Sequence, residues 1–285
     1  MNEQFSVLEI LKKSTEFLLK KGISTAKSDS EWILCEFLKI NKIDIYLDNG
    51  KITDSKIIDL IRSAVVRRAK REPLQHITGN VDFCSINLKC DTRALIPRYE
   101  TEQLVDIVAK NIPLDFQGKI IDFGTGSGAI AIALAKQFEK ASFFAYDKSE
   151  QAISLAKENA EVNKCSNQIV FRSFDWQSDS FTFEKSDVLV SNPPYLSKEE
   201  WCLAEPEVKN YDPFDALVSQ DKGYSDLKRI LEISPCVLKK TGMLAFEMGH
   251  LQAEHVQELA MNNFKNITIE KDFSGKRRYL LAWLA

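Results

Sequence analysis

A chain of 285 residues, 44% apolar and 28% charged, has the composition of an ordinary globular protein with enough length for an ample core. Its formal charge of −3 gives no general attraction to polyanions, and no apolar run approaches the roughly 18 residues that span a bilayer. Met1 to Gly22 alternates apolar residues with Glu and Lys, unlike the apolar core of a signal peptide. The six cysteines (Cys35, Cys84, Cys90, Cys165, Cys202, Cys236) lack C-x-x-C spacing and read as reduced, buried thiols. His76, His250 and His255 are too dispersed to suggest a metal site, so a cytoplasmic, metal-free protein is expected.

To about Arg71 the pattern is helical. Ser6-x-x-Glu9 and Ser28-x-x-Glu31 each have the form of a capping box opening an apolar-periodic run. The first run ends at Gly22, a natural residue to follow a helix. A polar turn is expected at Asp48-Asn49-Gly50, and a third helix from near Thr53 with Ile57, Ile58, Ile61, Ala64 and Val65 in register. Nothing in this bundle has the look of chemistry. Arg71-Glu72-Pro73 ends the last helix and Gly79 marks a turn. Alternation from Val81 to Leu95 then predicts a strand pair, and a helix resumes from Thr101 to Val108.

From Lys119 the character changes. Strands are predicted at Lys119–Phe123, Ser142–Tyr146, Ile169–Phe171, Asp187–Ser191, Met243–Glu247, Ile267–Glu270 and Tyr279–Trp283. Helices are predicted at Ala129–Phe138, Glu150–Asn163, Ser225–Lys239 and Gln252–Met261, with none between the third and fourth strands or between the last two. That alternation predicts a mostly parallel sheet covered by helices on both faces, with an antiparallel strand at one edge.

Gly124-Thr125-Gly126-Ser127-Gly128 follows the first of these strands, where a ligand outside the carboxyl ends needs close backbone approach. With Ala129 the spacing also fits G-x-G-x-x-A, so a nicotinamide enzyme is a legitimate rival. Asp147 ends the second strand, where its two oxygens can accept from both ribose hydroxyls. Asp175-Trp176 follows the third, offering a flat apolar ring that can flank an adenine.

Asn192-Pro193-Pro194-Tyr195 decides between these readings. Two prolines end the ladder, lack N–H donors and leave a rigid strand tip rich in carbonyl acceptors. The Asn192 side-chain carbonyl and a backbone carbonyl beside Pro194 can together accept both hydrogens of one planar NH2 group. Drawing those hydrogens out of plane frees the nitrogen lone pair. The Tyr195 ring can lie on the flat group and stabilise the developing positive charge. None of this assists a hydride transfer; it assists a weakly nucleophilic nitrogen in attacking a sulfonium methyl.

In this order, Asp122-x-Gly124-Thr125-Gly126-Ser127-Gly128, Asp147, Asp175-Trp176 and Asn192-Pro193-Pro194-Tyr195 resemble the class I S-adenosyl-L-methionine-dependent methyltransferases that act on planar nitrogen. More closely, the chain resembles the HemK/PrmC family of peptide chain release factor glutamine N5-methyltransferases. The resemblance extends to Arg71-Glu72-Pro73-Leu74-Gln75-His76-Ile77-Thr78-Gly79, Leu95-Ile96-Pro97-Arg98, Asp215-Ala216-Leu217 and Glu247-x-Gly249. It departs from the family at Cys90, Tyr99 and Arg277, in the linker and the final strand. The resemblance implies a Rossmann-like, seven-stranded, mostly parallel catalytic domain over 101–285, a β-structured linker over 76–100 and an N-terminal helical docking domain over 1–75. It implies that Gly124, Thr125, Gly126, Ser127 and Gly128 contact the methionine end of S-adenosyl-L-methionine, Asp147 its ribose and Trp176 its adenine side. Asn192 is then expected between cofactor and substrate, with Pro193, Pro194 and Tyr195 completing the grip on the glutamine amide. The implied partners are class I release factors, methylated in their Gly-Gly-Gln motif, with no membrane and no sequence-specific nucleic acid. Glutamine methylation of a large-subunit ribosomal protein, amino methylation of adenine or guanine, and a non-catalytic partner-binding role remain the alternatives.

Overall fold

The computed structural model describes residues 5–47, 50–52, 54–177 and 183–284. The chain forms two compact units, one of residues 1–79 with 205–211, the other of 80–204 with 212–285. In the first, helices Val7–Lys20, Ala26–Leu38 and Ser55–Ala69 enclose a core of Leu18, Ile23, Ile33, Leu34, Ile45 and Ile61, each nearly or fully buried. The capping box at Ser6 forms as expected: the Glu9 amide donates to Ser6 Oγ at 3.2 Å and the Ser6 amide to Glu9 Oε2 at 2.7 Å.

The capping box expected at Ser28 does not form. That helix begins two residues earlier, at Ala26, because burial of Ile23 and Ala26 outweighs the local signal. Glu31 instead turns inward and pairs with Lys42 at 2.6 Å and with the Tyr46 hydroxyl. Asp48, Asn49 and Thr53 lie outside the described residues; Asp54 caps the third helix by accepting from the Lys56 amide at 2.8 Å. A short helix, Leu74–Thr78, which periodicity did not indicate, fills the Pro73–Gly79 stretch and ends on Gly79.

The second unit opens with a tight hairpin, Asn80–Phe83 against Ile86–Lys89, turned by Cys84 and Ser85 at φ 46° and 63°. Its sheet has seven strands: β1 (Lys119–Phe123), β2 (Ser142–Asp147), β3 (Ile169–Ser173), β4 (Ser186–Ser191), β5 (Leu238–Glu247), β6 (Phe264–Lys271) and β7 (Arg277–Leu284). They lie in the order β6-β7-β5-β4-β1-β2-β3, and β7 runs antiparallel to both of its neighbours. The chain order reverses between β1 and β4, so the two strands whose carboxyl ends carry the glycine loop and the Asn192 tetrapeptide are hydrogen-bonded neighbours. One core lies on each face, Leu104, Ala131, Leu134 and Phe143 on one side and Phe123, Leu189, Leu231 and Phe246 on the other.

The thiol expectation needs correction. Cys90 and Cys165 are buried, but Cys202 and Cys236 are exposed on helices Lys198–Leu203 and Ser225–Val237. The first of those helices buries none of its residues, and the second turns Cys236 outward in its last turn. Among the described residues no cluster of His, Cys, Asp and Glu is arranged to hold a metal, and no helix is long and apolar enough to cross a membrane.

Candidate active site

A cleft at the carboxyl ends of β1, β2 and β4 is lined by Gly124, Thr125, Gly126, Ser127, Asp147, Trp176, Asn192 and Pro194. Eight of the eleven residues expected at the site therefore converge. Gly128 caps the helix Ala129–Gln137, outside the cleft lining. Pro193 and Tyr195 line a smaller adjoining pocket with Leu95, Leu196 and Leu217, and Asn192 borders both.

The loop after β1 is pinned by the strand beside it. Amides of Gly124 and Thr125 both donate to the Tyr146 carbonyl, at 2.8 and 2.9 Å. Asp147, at the tip of β2, accepts from the Gly126 amide at 2.9 Å and the Ser149 amide at 2.9 Å. Burial raises the Asp147 pKa, opposed by those two amides. Each of its oxygens keeps a further lone pair for a hydroxyl donor. Beneath the loop, buried Asp122 accepts from Thr125 Oγ1 at 2.7 Å, and burial pushes its pKa up to about 7.

Gly124 sits at φ +71°, and a Cβ there would lie 3.1 Å from the Trp176 ring. The absent side chain leaves a flat floor between backbone and indole. Trp176 is only 6% exposed and stacks on Phe123 with centroids 6.2 Å apart, so one face belongs to the core while its edge reaches the cleft. Its Nε1 donates to Asp226 at 2.7 Å. This gives the ring one orientation.

The Asn192 tetrapeptide is anchored at both ends. Ser191 Oγ donates to the Phe123 carbonyl at 2.7 Å, tying the tip of β4 to the tip of β1. At the far end Gln252 Nε2 donates to the carbonyls of Tyr195 and Gly223, at 3.0 and 3.1 Å. A Cβ at Gly223, φ +91°, would fall 2.3 Å from the Tyr195 oxygen, so only glycine allows this approach. Leu196 then pairs in parallel with Val218, which brings Asp215 and Ala216 to the cleft wall.

The side chains of the tetrapeptide are held as well. Asn192 Nδ2 donates to Thr101 Oγ1 at 2.9 Å, and Tyr195 OH donates to Glu247 at 2.8 Å. Arg98 lines the cleft and pairs with buried Asp212. Thr101, Asp226, Glu247 and Gln252 thus support the site. A helix N-terminus marks Thr101, and the Glu247-x-Gly249 motif singles out Glu247, but neither signal indicates what the residue touches.

The geometry is that of a nucleotide-type cleft beside an acceptor-rich, donor-poor strand tip. A model described as the PrmC N-terminal domain matches residues 9–79, and one described as the methyltransferase small domain matches 100–204. A methyltransferase of known structure from Pyrococcus furiosus superposes with a TM-score of 0.51 at 16% identity, over 70% of this chain and 88% of that one, and shares the fold. The release factor glutamine methyltransferase of Fusobacterium nucleatum is 38% identical over 96% of this chain and 78% of its own length. That of Chlorobaculum tepidum is 33% identical over 97% and 96%. The chain belongs to the release factor glutamine methyltransferase family.

Proposed function

We propose that the protein transfers a methyl group from S-adenosyl-L-methionine to the side-chain amide nitrogen of the glutamine in the Gly-Gly-Gln motif of class I release factors. The observation that carries the proposal is the Asn192 carboxamide. Its nitrogen is committed to Thr101, so its carbonyl is the end available to the cleft, beside the glycine loop. An acceptor in that place suits an NH2 group and does nothing for a hydride.

The residues fit the cofactor. Gly124, Thr125, Gly126 and Ser127 offer close backbone approach, Asp147 has lone pairs for ribose hydroxyls, and the Trp176 edge can border a planar base. S-adenosyl-L-methionine supplies an electrophilic sulfonium methyl. Asn192 Oδ1 and a backbone carbonyl beside Pro194 would hold both amide hydrogens, lending the nitrogen lone pair to the new N–C bond. With that bond the cofactor would give up its methyl, the S–C electron pair staying on sulfur, and one amide proton would pass to solvent. Tyr195, fixed through its hydroxyl, would flank the amide as positive charge develops. Most of the acceleration then comes from alignment, for which roughly 7–11 kcal/mol is the upper range. The helical unit, matched by the PrmC N-terminal domain, is the candidate docking element.

The test offers radiolabelled cofactor with a purified release factor, ribosomal particles or DNA as separate acceptors. Label is expected on the factor's glutamine; label on DNA with none on the factor would refute the assignment. A second expectation concerns the cleft floor. Gly124→Ala forces alanine into the left-handed region, at about 1–2 kcal/mol, and narrows the gap to Trp176. Its dissociation constant for S-adenosyl-L-methionine, measured calorimetrically, should rise about tenfold.

A further inference from the structure

Glu247, the last residue of β5, is buried at 2% exposure, and each of its oxygens takes one hydroxyl: Thr101 Oγ1 donates to Oε2 at 2.9 Å and Tyr195 OH to Oε1 at 2.8 Å. A threonine hydroxyl has one proton, and an ionised carboxylate can only accept. With its proton directed at Glu247, Thr101 can offer Asn192 nothing but a lone pair. Asn192 must therefore present its NH2 to Thr101, as the 2.9 Å contact has it, and its carbonyl to the cleft. With Glu247 ionised, the polarity of the chain sets which end of the amide points where, in agreement with the Asn192–Thr101 contact.

We propose that Glu247 and Thr101 are positioning residues that set the direction of the Asn192 carboxamide and hold Tyr195 by the same carboxylate. The inference rests on the proposed reaction at Asn192 and assigns the source of its orientation. Four side chains from distant parts of the sequence form one unit, Asn192 to Thr101 to Glu247 from Tyr195. Polarity is its working property, because the Glu247→Gln side chain has the same shape but can donate. The Thr101 hydroxyl is then free to accept from the introduced amide and donate to Asn192, which turns the Asn192 NH2 into the cleft and sets donor against donor.

A pH signature accompanies this. Burial raises the Glu247 pKa above the ordinary glutamate value, reinforced by Glu100 and opposed by the Tyr195 and Thr101 hydrogen bonds and by Arg278. Tyr279, its partner across the β5–β7 ladder, faces it too, and Arg278 is itself paired with Asp272 at 2.9 Å. As pH falls through that raised value Glu247 gains a proton it can donate, and the direction of the chain is lost. Turnover is therefore expected to fall on the acid side at a pH above an ordinary glutamate's titration.

The experiment compares Glu247→Gln, Thr101→Val and Thr101→Ser with the wild type. Measured quantities are kcat and KM on the release factor, calorimetric cofactor affinity, and solvent exchange of the Asn192 side-chain amide protons by NMR. Expected are a fall in kcat of about 100-fold for Glu247→Gln and Thr101→Val, cofactor affinity within twofold, recovery to within about threefold in Thr101→Ser, and loss of the acid limb in Glu247→Gln. Asn192 amide exchange should be slow in the wild type and Thr101→Ser and fast in the other two. Wild-type kcat in Thr101→Val, or Thr101→Ser as impaired as Thr101→Val, would overturn the proposal. The exchange measurement needs no acceptor, so it judges the relay even where wild-type enzyme leaves the release factor unlabelled, a result that counts against the proposed reaction alone. Should Thr101→Val fail to fold, Glu247→Gln, which keeps volume and shape, decides by the same readouts.

Discussion

Asn192→Ala is expected to lower kcat by about 10³-fold while leaving affinity for S-adenosyl-L-methionine within a few-fold of wild type. The size follows from the loss of one oriented polar group aimed at a centre where charge develops, typically 10²–10³-fold, with disorder of the acceptor added. The asymmetry follows from position: the groups proposed for the cofactor follow β1, β2 and β3, and the hydrogen bonds that hold them do not include the Asn192 side chain. Asn192→Asp is a sharper probe. It keeps an acceptor in the cleft but removes the donor to Thr101, so a second carboxylate oxygen faces a lone pair that Glu247 cannot relieve. Aspartate should therefore be nearly as inactive as alanine. Single-turnover kinetics with the release factor, alongside calorimetric cofactor binding, separates the two effects. Equal loss of cofactor affinity in both variants would show that Asn192 builds the cofactor site rather than the acceptor site.

Where the site could be read in the sequence, the physics was local. A β-branched run followed by two prolines can only be a strand that stops, and Asp187–Ser191 lies inside β4, Ser186–Ser191. Glycines 124, 126 and 128, placed after an apolar strand and before an alanine-rich helix, announce a tight turn, and all three adopt positive φ. Asp147 and Trp176 were findable because Asp147 closes β2 and Trp176 comes three residues after β3, both at carboxyl ends of strands. Their supports were not, because those come from far along the chain. Thr101 lies 91 residues before Asn192, Glu247 lies 52 residues after Tyr195, and Asp226 lies 50 after Trp176. No period or propensity links such pairs; only the strand order brings them together. Burial also overrode local signals, as at Ser28. β5 begins at Leu238, five residues before its apolar run, across a left-handed Thr241 and a register shift opposite Ser186–Val188.

The least legible feature is the segment 205–211, which follows the tetrapeptide yet belongs to the helical unit. Nothing in Glu205-Pro206-Glu207 signals this except two carboxylates, and their partners are more than 130 residues away. Arg68 donates from Nε to Asp29 at 2.7 Å and from Nη1 to Glu207 at 2.9 Å, while Arg71 reaches Glu207 and Glu205 at 2.9 and 2.7 Å. The two arginines are not equivalent. Arg68 and Asp29 are 7% and 6% exposed, whereas Glu205 is largely in solvent.

Arg68→Ala is accordingly expected to destabilise the helical unit by about 3–5 kcal/mol, because among the described residues a buried Asp29 carboxylate keeps only the Thr25 hydroxyl as side-chain donor. Arg71→Ala should cost no more than about 1 kcal/mol, since Glu207 keeps Arg68 and Glu205 returns to water. Arg68→Lys should fall between them, one ammonium being unable to serve Asp29 and Glu207 with the fixed fork that a guanidinium offers. Pairing Arg68→Ala with Asp29→Ala should recover part of the loss, because the stranded charge goes with its partner. Denaturant titration followed by fluorescence of Trp32, in the same unit, reads the stability, and hydrogen exchange over 205–211 reports whether the segment is released. If Arg68→Ala unfolds within 1 kcal/mol of wild type while 205–211 stays protected, then apolar packing rather than the buried ion pair holds the segment. The double variant would then be no more stable than the single one.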